Sequence, residues 1–327
     1  MESKIRWGIV GPGSIARKFA SDLKLVEDAE ISAVGSRTIA NAQKFANEFG
    51  VEHVFGSYDE LFESDTVDVV YIATPHNFHK NLAIKAMECG KHVLCEKPLG
   101  IHQSEVVELL ASAKKNEVFL MEALWSRFNP SIQKVKALID EGTIGDVSYL
   151  HADFAFYALN RDIDSRLLNP NLASGSLLDI GIYPIFLAYL ILGMPKEISA
   201  HSNFHKNGTE LQTSMIFQYS DAQAVLYSGL VSTSKMEAEI SGTDGILFLE
   251  PRWHEAHGCS LVKNETTENF KFPLQGNGYV YEICEVHKCL KAKTLESDLW
   301  SHQNSLDLIT LLDTVRQKTG IKFPFET

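Results

Sequence analysis

The sequence predicts an α/β protein with two domains: an N-terminal doubly wound parallel sheet and a C-terminal α+β domain with a largely antiparallel, open sheet. Up to residue 123, short continuous apolar runs alternate with helical patterns, as in parallel strands that are buried on both faces. From about residue 145, longer strands with partial apolar–polar alternation follow one another. We therefore assign residues 1–123 to the first domain and residues 124–327 to the second.

The first domain alternates strands and helices along its length. Strands that are separated by helices need crossover connections, and these place the strands parallel in one sheet. The apolar runs predict strands at 5–10, 30–36, 67–73, 91–96 and 117–123, and helices near 14–25, 39–49, 76–89 and 102–116.

The second domain has consecutive strands bracketed by helices. Only Ser220 and Asp221 separate two of the strand patterns, which predicts a hairpin. Helices on one side of such a sheet leave its other face open to a second subunit. The patterns predict strands at 147–157, 211–219, 222–231 and 245–251, and helices at 131–141, 176–192, 279–293 and 304–318.

Composition excludes several classes of partner. The chain has 327 residues and a formal net charge of −12, which argues against binding to nucleic acid or to anionic membranes. No run of about 18 apolar residues predicts a transmembrane helix. The odd number of scattered cysteines and the lack of a signal-like N-terminus predict free thiols and a cytoplasmic location.

The first strand leads into a glycine-rich turn, GPGSIA, at residues 11–16. Gly11 allows a tight turn, and Gly13 allows the backbone to approach a pyrophosphate. Ser14 and Ile15 begin the next helix, whose free N–H groups point at the phosphates. This strand–turn–helix context predicts a Rossmann domain that binds a dinucleotide.

The end of the second strand favours NADP, with NAD as a possible alternative. Ser36, Arg37 and Thr38 stand where NAD-binding sites usually carry an acidic residue for the ribose 2′-hydroxyl. Arg37 is able to bind a 2′-phosphate through charge-assisted hydrogen bonds, and the hydroxyls are able to donate to it.

Two more polar segments follow strands: ATPHNFH at residues 73–79 and CEKPL at residues 95–99. The carboxyl ends of the strands form the ligand crevice of a doubly wound sheet, so Lys97 should point at the nicotinamide side of the site. A lysine there is able to hold or transfer a proton, and its charge stabilises a developing alkoxide.

These motifs together resemble the Gfo/Idh/MocA family of oxidoreductases over essentially the whole chain. The glycine turn, ATPHNFH, CGKHVLCEKP (89–98) and DIGIYP (179–184) carry the resemblance. MEALWSRFNP (121–130) with DIGIYP is most similar to the dimeric dihydrodiol dehydrogenase and NADP-dependent xylose dehydrogenase branch. The resemblance implies hydride transfer between nicotinamide and a carbinol or carbonyl of a sugar, polyol or trans-dihydrodiol, in a homodimer or higher oligomer.

The resemblance also implies roles for individual residues. Lys97, Asp179 and Tyr183 match the catalytic positions, and Asp179 and Tyr183 meet the substrate. Tyrosine stands where many members have histidine, which favours a phenolic acid–base group. We expect Lys97 and Tyr183 to converge beside the dinucleotide, without a metal ion. The implied cofactor-binding set adds Thr74, Pro75, Asn77, His79 and Glu96, and the expected substrate-lining set adds Trp125, Arg127 and Phe154.

Two alternatives remain at this point. The same fold could serve another carbonyl substrate, as a sugar reductase, an amino-sugar dehydrogenase or a tetrapyrrole reductase. A non-catalytic NADP-sensing regulator would need the glycine turn but not the proton-handling groups. The presence of Lys97 with Asp179 and Tyr183 therefore favours an enzyme.

Overall fold

The computed structural model describes residues 4–326. In chain order the strands are β1 (Ile5–Val10), β2 (Ala29–Gly35), β3 (His53–Phe55), β4 (Val69–Ile72), β5 (His92–Glu96), β6 (Leu120–Ala123), β7 (Val147–Ala155), β8 (Glu197–Phe204), β9 (Glu210–Gln218), β10 (Gln223–Gly229), β11 (Ala238–Gly242), β12 (Ile246–Leu249), β13 (Gly258–Lys263) and β14 (Thr266–Lys271). The α-helices are α1 (Ser14–Leu23), α2 (Ile39–Phe49), α3 (Tyr58–Glu63), α4 (His79–Glu88), α5 (Gln103–Asn116), α6 (Pro130–Asp140), α7 (Ile182–Leu192), α8 (Val280–Ala292) and α9 (His302–Thr319).

The first unit contains a parallel sheet with the strand order β3–β2–β1–β4–β5–β6. This is the strand order of a doubly wound dinucleotide-binding sheet. From β1 the chain builds outward to β3 at one edge, and from β4 it builds outward to β6 at the other, so the switch point lies between β1 and β4. Continuous apolar segments form these strands because both faces of the sheet are covered, and β4 is buried at every residue. The predicted Rossmann fold is confirmed.

The second unit contains a sheet with the order β14–β13–β12–β11–β7–β10–β9–β8. Its neighbouring strands are antiparallel except for β7 and β10, which are parallel. The predicted hairpin is confirmed, since β9 and β10 pair through the Ser220–Asp221 link and the Tyr219 N–H donates to the Ala222 carbonyl at 2.9 Å. The predicted α+β class with a largely antiparallel sheet is therefore confirmed.

One face of this sheet is covered and the other is open. Phe217 on β9 and Ala224 on β10 are fully buried, and α6 and α7 pack against the sheet. The alternate residues Ile216 and Val225 pair directly across the two strands and are 46 % and 37 % exposed. The open face therefore presents apolar side chains in its centre.

Helix α7 lies in the core of the second unit. The segment Pro170–Leu192 contains an 18-residue window with a mean hydropathy of 1.8, which is apolar enough for a membrane-spanning helix, and 78 % of that window is buried inside the protein. Ile182, Ile185 and Phe186 have no solvent exposure. A helix that is apolar on every side is expected in a protein core, so burial accounts for this composition.

The chain passes between the two compact units more than once. The first unit combines the residues up to Trp125 with Gln275–Leu306, and the second combines Ser126–Leu274 with the residues from Asp307 onward. The predicted division after residue 123 treats each domain as one continuous stretch. Apolar periodicity identifies helix α8 but carries no information about which sheet the helix packs against.

Polar contacts attach α8 and its preceding loop to the first unit. The Trp7 indole N–H donates to His287 Nε2 at 3.0 Å, and His287 Nδ1 lies 2.9 Å from Asp28 Oδ1. The buried Asp22 carboxylate on α1 accepts the backbone N–H of Tyr279 at 2.8 Å. Because these partners are distant in sequence, only the folded chain brings them together.

Candidate active site

The first βα turn is shaped for a ligand that approaches the backbone closely. Gly11 has a φ of +84°, and a Cβ atom there would lie 2.9 Å from Thr74 Cγ2. At Gly13 a Cβ atom would meet only the Gly11 carbonyl oxygen, at 4.0 Å, so this side of the turn is open. Ser14 and Ile15 begin α1, as predicted. The N–H groups that start a helix are natural phosphate ligands.

A buried hydroxyl beside this turn supports the same interpretation. Thr74 Oγ1 is buried and has no hydrogen-bond partner among residues 4–326. Buried polar atoms in native proteins are nearly always paired, so an unsatisfied hydroxyl beside an open glycine turn points to a missing polar ligand. The residues present therefore fit a bound dinucleotide.

The end of β2 presents a cationic residue to solvent. Ser36 is buried, and its Oγ lies 3.4 Å from the Thr38 backbone nitrogen. Arg37 is exposed, and its guanidinium lies 5.9 Å from the centre of the Phe78 ring. The N–H groups of a guanidinium lie in its own plane, so a contact with an aromatic face leaves them available to a phosphate.

His79 links two polar turns of the first unit, the one that follows β4 and the one that follows β5. It is fully buried, with Nδ1 2.8 Å from the Pro98 carbonyl and Nε2 2.9 Å from the Thr74 carbonyl. Burial lowers the pKa of His79, and the Lys97 charge lowers it further, while the two carbonyls oppose this shift. Both ring nitrogens face backbone carbonyls. The His79 side chain therefore connects the two turns that carry Thr74 and Lys97.

The turn that carries Lys97 is fixed on both sides. Glu96 is buried; its Oε1 accepts a short hydrogen bond from the Tyr71 hydroxyl, and its Oε2 accepts the Lys97 backbone N–H at 3.2 Å. The Lys97–Pro98 peptide is cis. Beyond it, the Leu99 N–H donates to Glu122 Oε1 at 2.9 Å. Lys97 itself is half-buried.

The strand register brings these turns to one edge of the parallel sheet. Val10 pairs with both Gly35 and Ile72, and Ile72 pairs with Cys95. The glycine turn, the Arg37 segment, Thr74 and Lys97 each follow one of these strand ends. Pro75 and Asn77 lie between them, at the start of and within the short helix His76–Phe78. The predicted cofactor residues therefore lie along the carboxyl edge at the switch point.

A second buried acid, Glu282, lies near Glu96 in the first unit. Glu282 on α8 has no exposure, and neither of its carboxyl oxygens has a hydrogen-bond partner among the described residues. Burial raises the pKa of Glu282 well above its ordinary value, and the nearby Glu96 and Asp22 carboxylates raise it further. Both effects favour the neutral form of the Glu282 carboxyl group over its carboxylate.

In the second unit, Asp179 and Tyr183 lie one helical turn apart. Asp179 belongs to a π-helical turn, Leu177–Gly181, that continues directly into α7. Its Oδ1 accepts a hydrogen bond from Arg166 Nη1 at 2.6 Å. The Asp179 side chain is 7 % exposed and that of Arg166 is 57 % exposed. The ion pair with Arg166 orients the Asp179 carboxylate. No sequence pattern had indicated that Arg166 takes part in the site.

Tyr183 lies in an aromatic cluster. Its ring centre is 5.6 Å from that of Phe154 and 5.4 Å from that of His254, and Phe154 stacks on His254 at 4.1 Å. The structure thus groups two predicted substrate residues with a histidine that the sequence analysis missed. His254 belongs to no motif, and a single histidine after Trp253 gave no signal for a site.

The two remaining predicted substrate residues fall on opposite sides of the unit boundary. Trp125 ends the first unit, where its ring stacks on Tyr279 with centres 5.0 Å apart. Arg127 belongs to the second unit and is buried, and its carbonyl accepts a hydrogen bond from Gln133 Nε2 at 3.2 Å. Their predicted substrate contacts stay predictions. Within residues 4–326, no group of three or more His, Cys, Asp or Glu side chains is arranged to hold a metal ion.

The fold, the glycine turn and the placed lysine define a dinucleotide-dependent oxidoreductase, and comparison with known proteins agrees. Residues 5–124 match the oxidoreductase family with an NAD-binding Rossmann fold, and residues 132–248 match the GFO/IDH/MocA C-terminal domain. The chain belongs to this family of oxidoreductases, as the sequence resemblance predicted.

Several relatives extend the match to almost the full length of the chain. Trans-1,2-dihydrobenzene-1,2-diol dehydrogenase from Mus musculus is 34 % identical over 98 % of both chains. The scyllo-inositol 2-dehydrogenase (NADP(+)) of Bacillus subtilis is 33 % identical, again over 98 % of both. The 3-ketoreductase KijD10 from Actinomadura kijaniata, solved with NADP and TDP-benzene, has a TM-score of 0.87, 28 % identity, and coverage of 97 % of this chain and 98 % of that one.

Proposed function

We propose that this oxidoreductase uses NADP(H) to interconvert a carbinol and a carbonyl on a small sugar, polyol or vicinal diol. The observation that carries the proposal is the placement of Lys97: its turn is fixed by Glu96 and Glu122 on the same sheet edge as the open glycine turn. The names of the dihydrodiol and scyllo-inositol dehydrogenase relatives support this substrate class.

In the proposed reaction the dinucleotide, when bound, supplies the hydride chemistry. During oxidation the Tyr183 side chain, as its phenolate, takes the substrate hydroxyl proton, and the phenol that results returns this proton to the substrate oxygen during reduction. The Lys97 ammonium stabilises negative charge on the phenolic and substrate oxygens. Asp179, directed by Arg166, accepts a hydrogen bond from a second substrate hydroxyl, which favours vicinal diols and sugars over simple alcohols.

A substrate panel tests this proposal. We expect NADP-dependent absorbance changes with sugars, polyols or trans-dihydrodiols, and the reverse change with NADPH and the matching carbonyls. Turnover restricted to a tetrapyrrole or an unrelated carbonyl would favour the alternative reductase. Tight NADPH binding without turnover on the whole panel would favour the regulator.

Arg37 is proposed to select NADP through its 2′-phosphate. Replacing it with alanine (Arg37→Ala) should raise the KM for NADPH about 10- to 100-fold, because a charge-assisted hydrogen bond is lost, and should leave the KM for NADH nearly unchanged. Arg252→Ala, an exposed arginine of the second unit, is the matched control. Equal effects on both cofactors would show that Arg37 does not read the phosphate.

The open sheet face supports the proposal of a homodimer. Ile216, Val225 and Phe248 are 46 %, 37 % and 37 % exposed and lie in one cross-strand row with His151 and Glu239. Apolar side chains in the middle of a sheet face are typical of a subunit interface. Ile216→Lys should shift the protein to monomers in analytical ultracentrifugation if this face pairs.

A further inference from the structure

We infer that Glu210 is a positioning residue for the substrate side of the reaction, because its buried carboxylate fixes the turn that carries Asp179. The inference rests on the proposed function, since it concerns the substrate contact assigned to Asp179. Glu210 begins β9 and is 2 % exposed. It lies 31 residues beyond Asp179 in a strand pattern, so nothing in the sequence connects the two.

Three donors from two elements converge on the Glu210 carboxylate. Its Oε2 accepts the Leu177 backbone N–H at 2.8 Å. Its Oε1 accepts the hydroxyls of Ser176 and Thr213, each at 2.7 Å. These hydrogen bonds are buried, so solvent screens them little; burial raises the pKa of Glu210, and the hydrogen bonds oppose that rise. The amide of Leu177, two residues before Asp179, is therefore held to the sheet.

Two glycines allow the turn to approach the sheet this closely. Gly175 has a φ of +123°, and a Cβ atom there would lie 2.9 Å from Glu210 Oε2. At Gly181 a Cβ atom would lie 2.8 Å from the Ser228 hydroxyl, which also contacts Ser176 Oγ at 2.9 Å. The turn is thus held against β9 at its start and against β10 at its end.

The turn that Glu210 holds is π-helical, a rare conformation that is frequently found at functional sites. Asp179 lies in the middle of it, and Tyr183 follows in the first turn of α7. The Arg166 side chain is 57 % exposed, so solvent partly screens its contact to the buried Asp179, whereas the Glu210 contacts are buried on both sides.

Two substitutions at Glu210 separate positioning from general stability. Glu210→Ala leaves the Leu177 N–H and both hydroxyls without their acceptor. Glu210→Gln keeps an oxygen for the Leu177 N–H, while the Ser176 hydroxyl is able to turn to Ser228. We expect Glu210→Ala to lower kcat/KM for the substrate about 10- to 100-fold, since small displacements of a substrate-contacting group have effects of this size. Glu210→Gln should stay within about threefold of wild type.

The experiment compares these variants with Ser176→Ala and with a control at Glu285. Glu285 is a buried carboxylate of the first unit that accepts the Ser297 hydroxyl at 2.7 Å, so Glu285→Ala removes a comparable group elsewhere. All variants are assayed well below their unfolding temperatures. The measured quantities are kcat and KM for the substrate, the KM for NADPH, and the rate of hydrogen exchange in the peptide that spans Leu177–Gly181. Ser176→Ala, which keeps the Leu177 contact, serves if Glu210→Ala fails to fold.

In Glu210→Ala we expect a lower kcat/KM for the substrate, faster hydrogen exchange in the 177–181 peptide and an unchanged KM for NADPH. Glu210→Gln should restore kcat/KM, and Ser176→Ala should lower it less than Glu210→Ala does. Wild-type kcat/KM in Glu210→Ala, or an equal loss in Glu285→Ala, overturns the inference. If the wild-type enzyme has no activity on the substrate panel, the proposed function fails; unchanged exchange at 177–181 in Glu210→Ala would still overturn the positioning role by itself.

Discussion

Replacing Tyr183 with phenylalanine is expected to lower kcat by about 10²- to 10⁴-fold, because a positioned acid–base group contributes that much to proton transfer. Lys97→Met should lower kcat by a similar factor, since it removes the positive charge that stabilises the developing oxyanion. The KM for NADPH should change little in Tyr183→Phe. Steady-state kinetics with saturating NADPH, and NADPH titration by fluorescence, measure the two effects separately.

A matched control residue is available for each of the two substitutions. Tyr189 is a second phenol on α7, and its hydroxyl donates to Asp307 at 2.7 Å, so Tyr189→Phe removes a tyrosine hydroxyl without touching the proposed chemistry. Lys85, exposed and paired with Asp59, provides Lys85→Met. If Lys97 and Tyr183 serve one step, the double variant should be no slower than the slower single variant. Near-wild-type kcat in either single variant would remove that residue from the mechanism.

The second large effect is expected at Glu122. Its buried carboxylate accepts the Leu99 N–H at 2.9 Å, the Trp300 indole N–H at 3.1 Å and the Ser305 hydroxyl at 2.7 Å. Glu122→Ala leaves these three donors without an acceptor and opens a cavity, which should lower the free energy of unfolding by about 3–5 kcal/mol. Urea denaturation followed by fluorescence measures this change.

Two other variants bracket the Glu122 result. Glu122→Gln keeps an acceptor oxygen and should cost less than the alanine variant. Glu108→Ala removes an exposed carboxylate that pairs with Lys80, and should change stability by less than about 1 kcal/mol. A loss of less than about 1 kcal/mol in Glu122→Ala would mean that the hydrogen bonds to Trp300 and Ser305 do not stabilise the packing of Gln275–Leu306 in the first unit.

The sequence predicted the elements whose environment is encoded locally. Strand β1 and its glycine turn were identified because a buried parallel strand is continuously apolar and the tight turn at Gly11 requires glycine. The β9–β10 hairpin was predicted because its connecting link has two residues. The strands that were missed include β8, an edge strand with mixed polar residues that pairs only with β9 in the described chain.

The site was predictable where a motif fixes the backbone and not where side chains meet across long sequence separations. The Lys97 turn was located because it follows β5 at the sheet edge. No local pattern encodes the contacts of His79 with two backbone carbonyls. The same holds for the ion pair between Arg166 and Asp179. The predicted helix 176–192 likewise begins as a π-helical turn, and its contacts with Glu210 and Ser228 come from strands that are distant in the sequence.

Hydride transfer from nicotinamide to a substrate carbon underlies every role proposed for this site, and isotope transfer measures it. The wild-type enzyme would be incubated in ordinary water with a carbonyl substrate and NADPH that carries deuterium at the transferable position of nicotinamide C4, and the product would be analysed by mass spectrometry and NMR. We predict one deuterium on the new carbinol carbon, on a single face. A product with no deuterium at that carbon, or no product with any sugar, polyol or diol-derived carbonyl, would contradict the account.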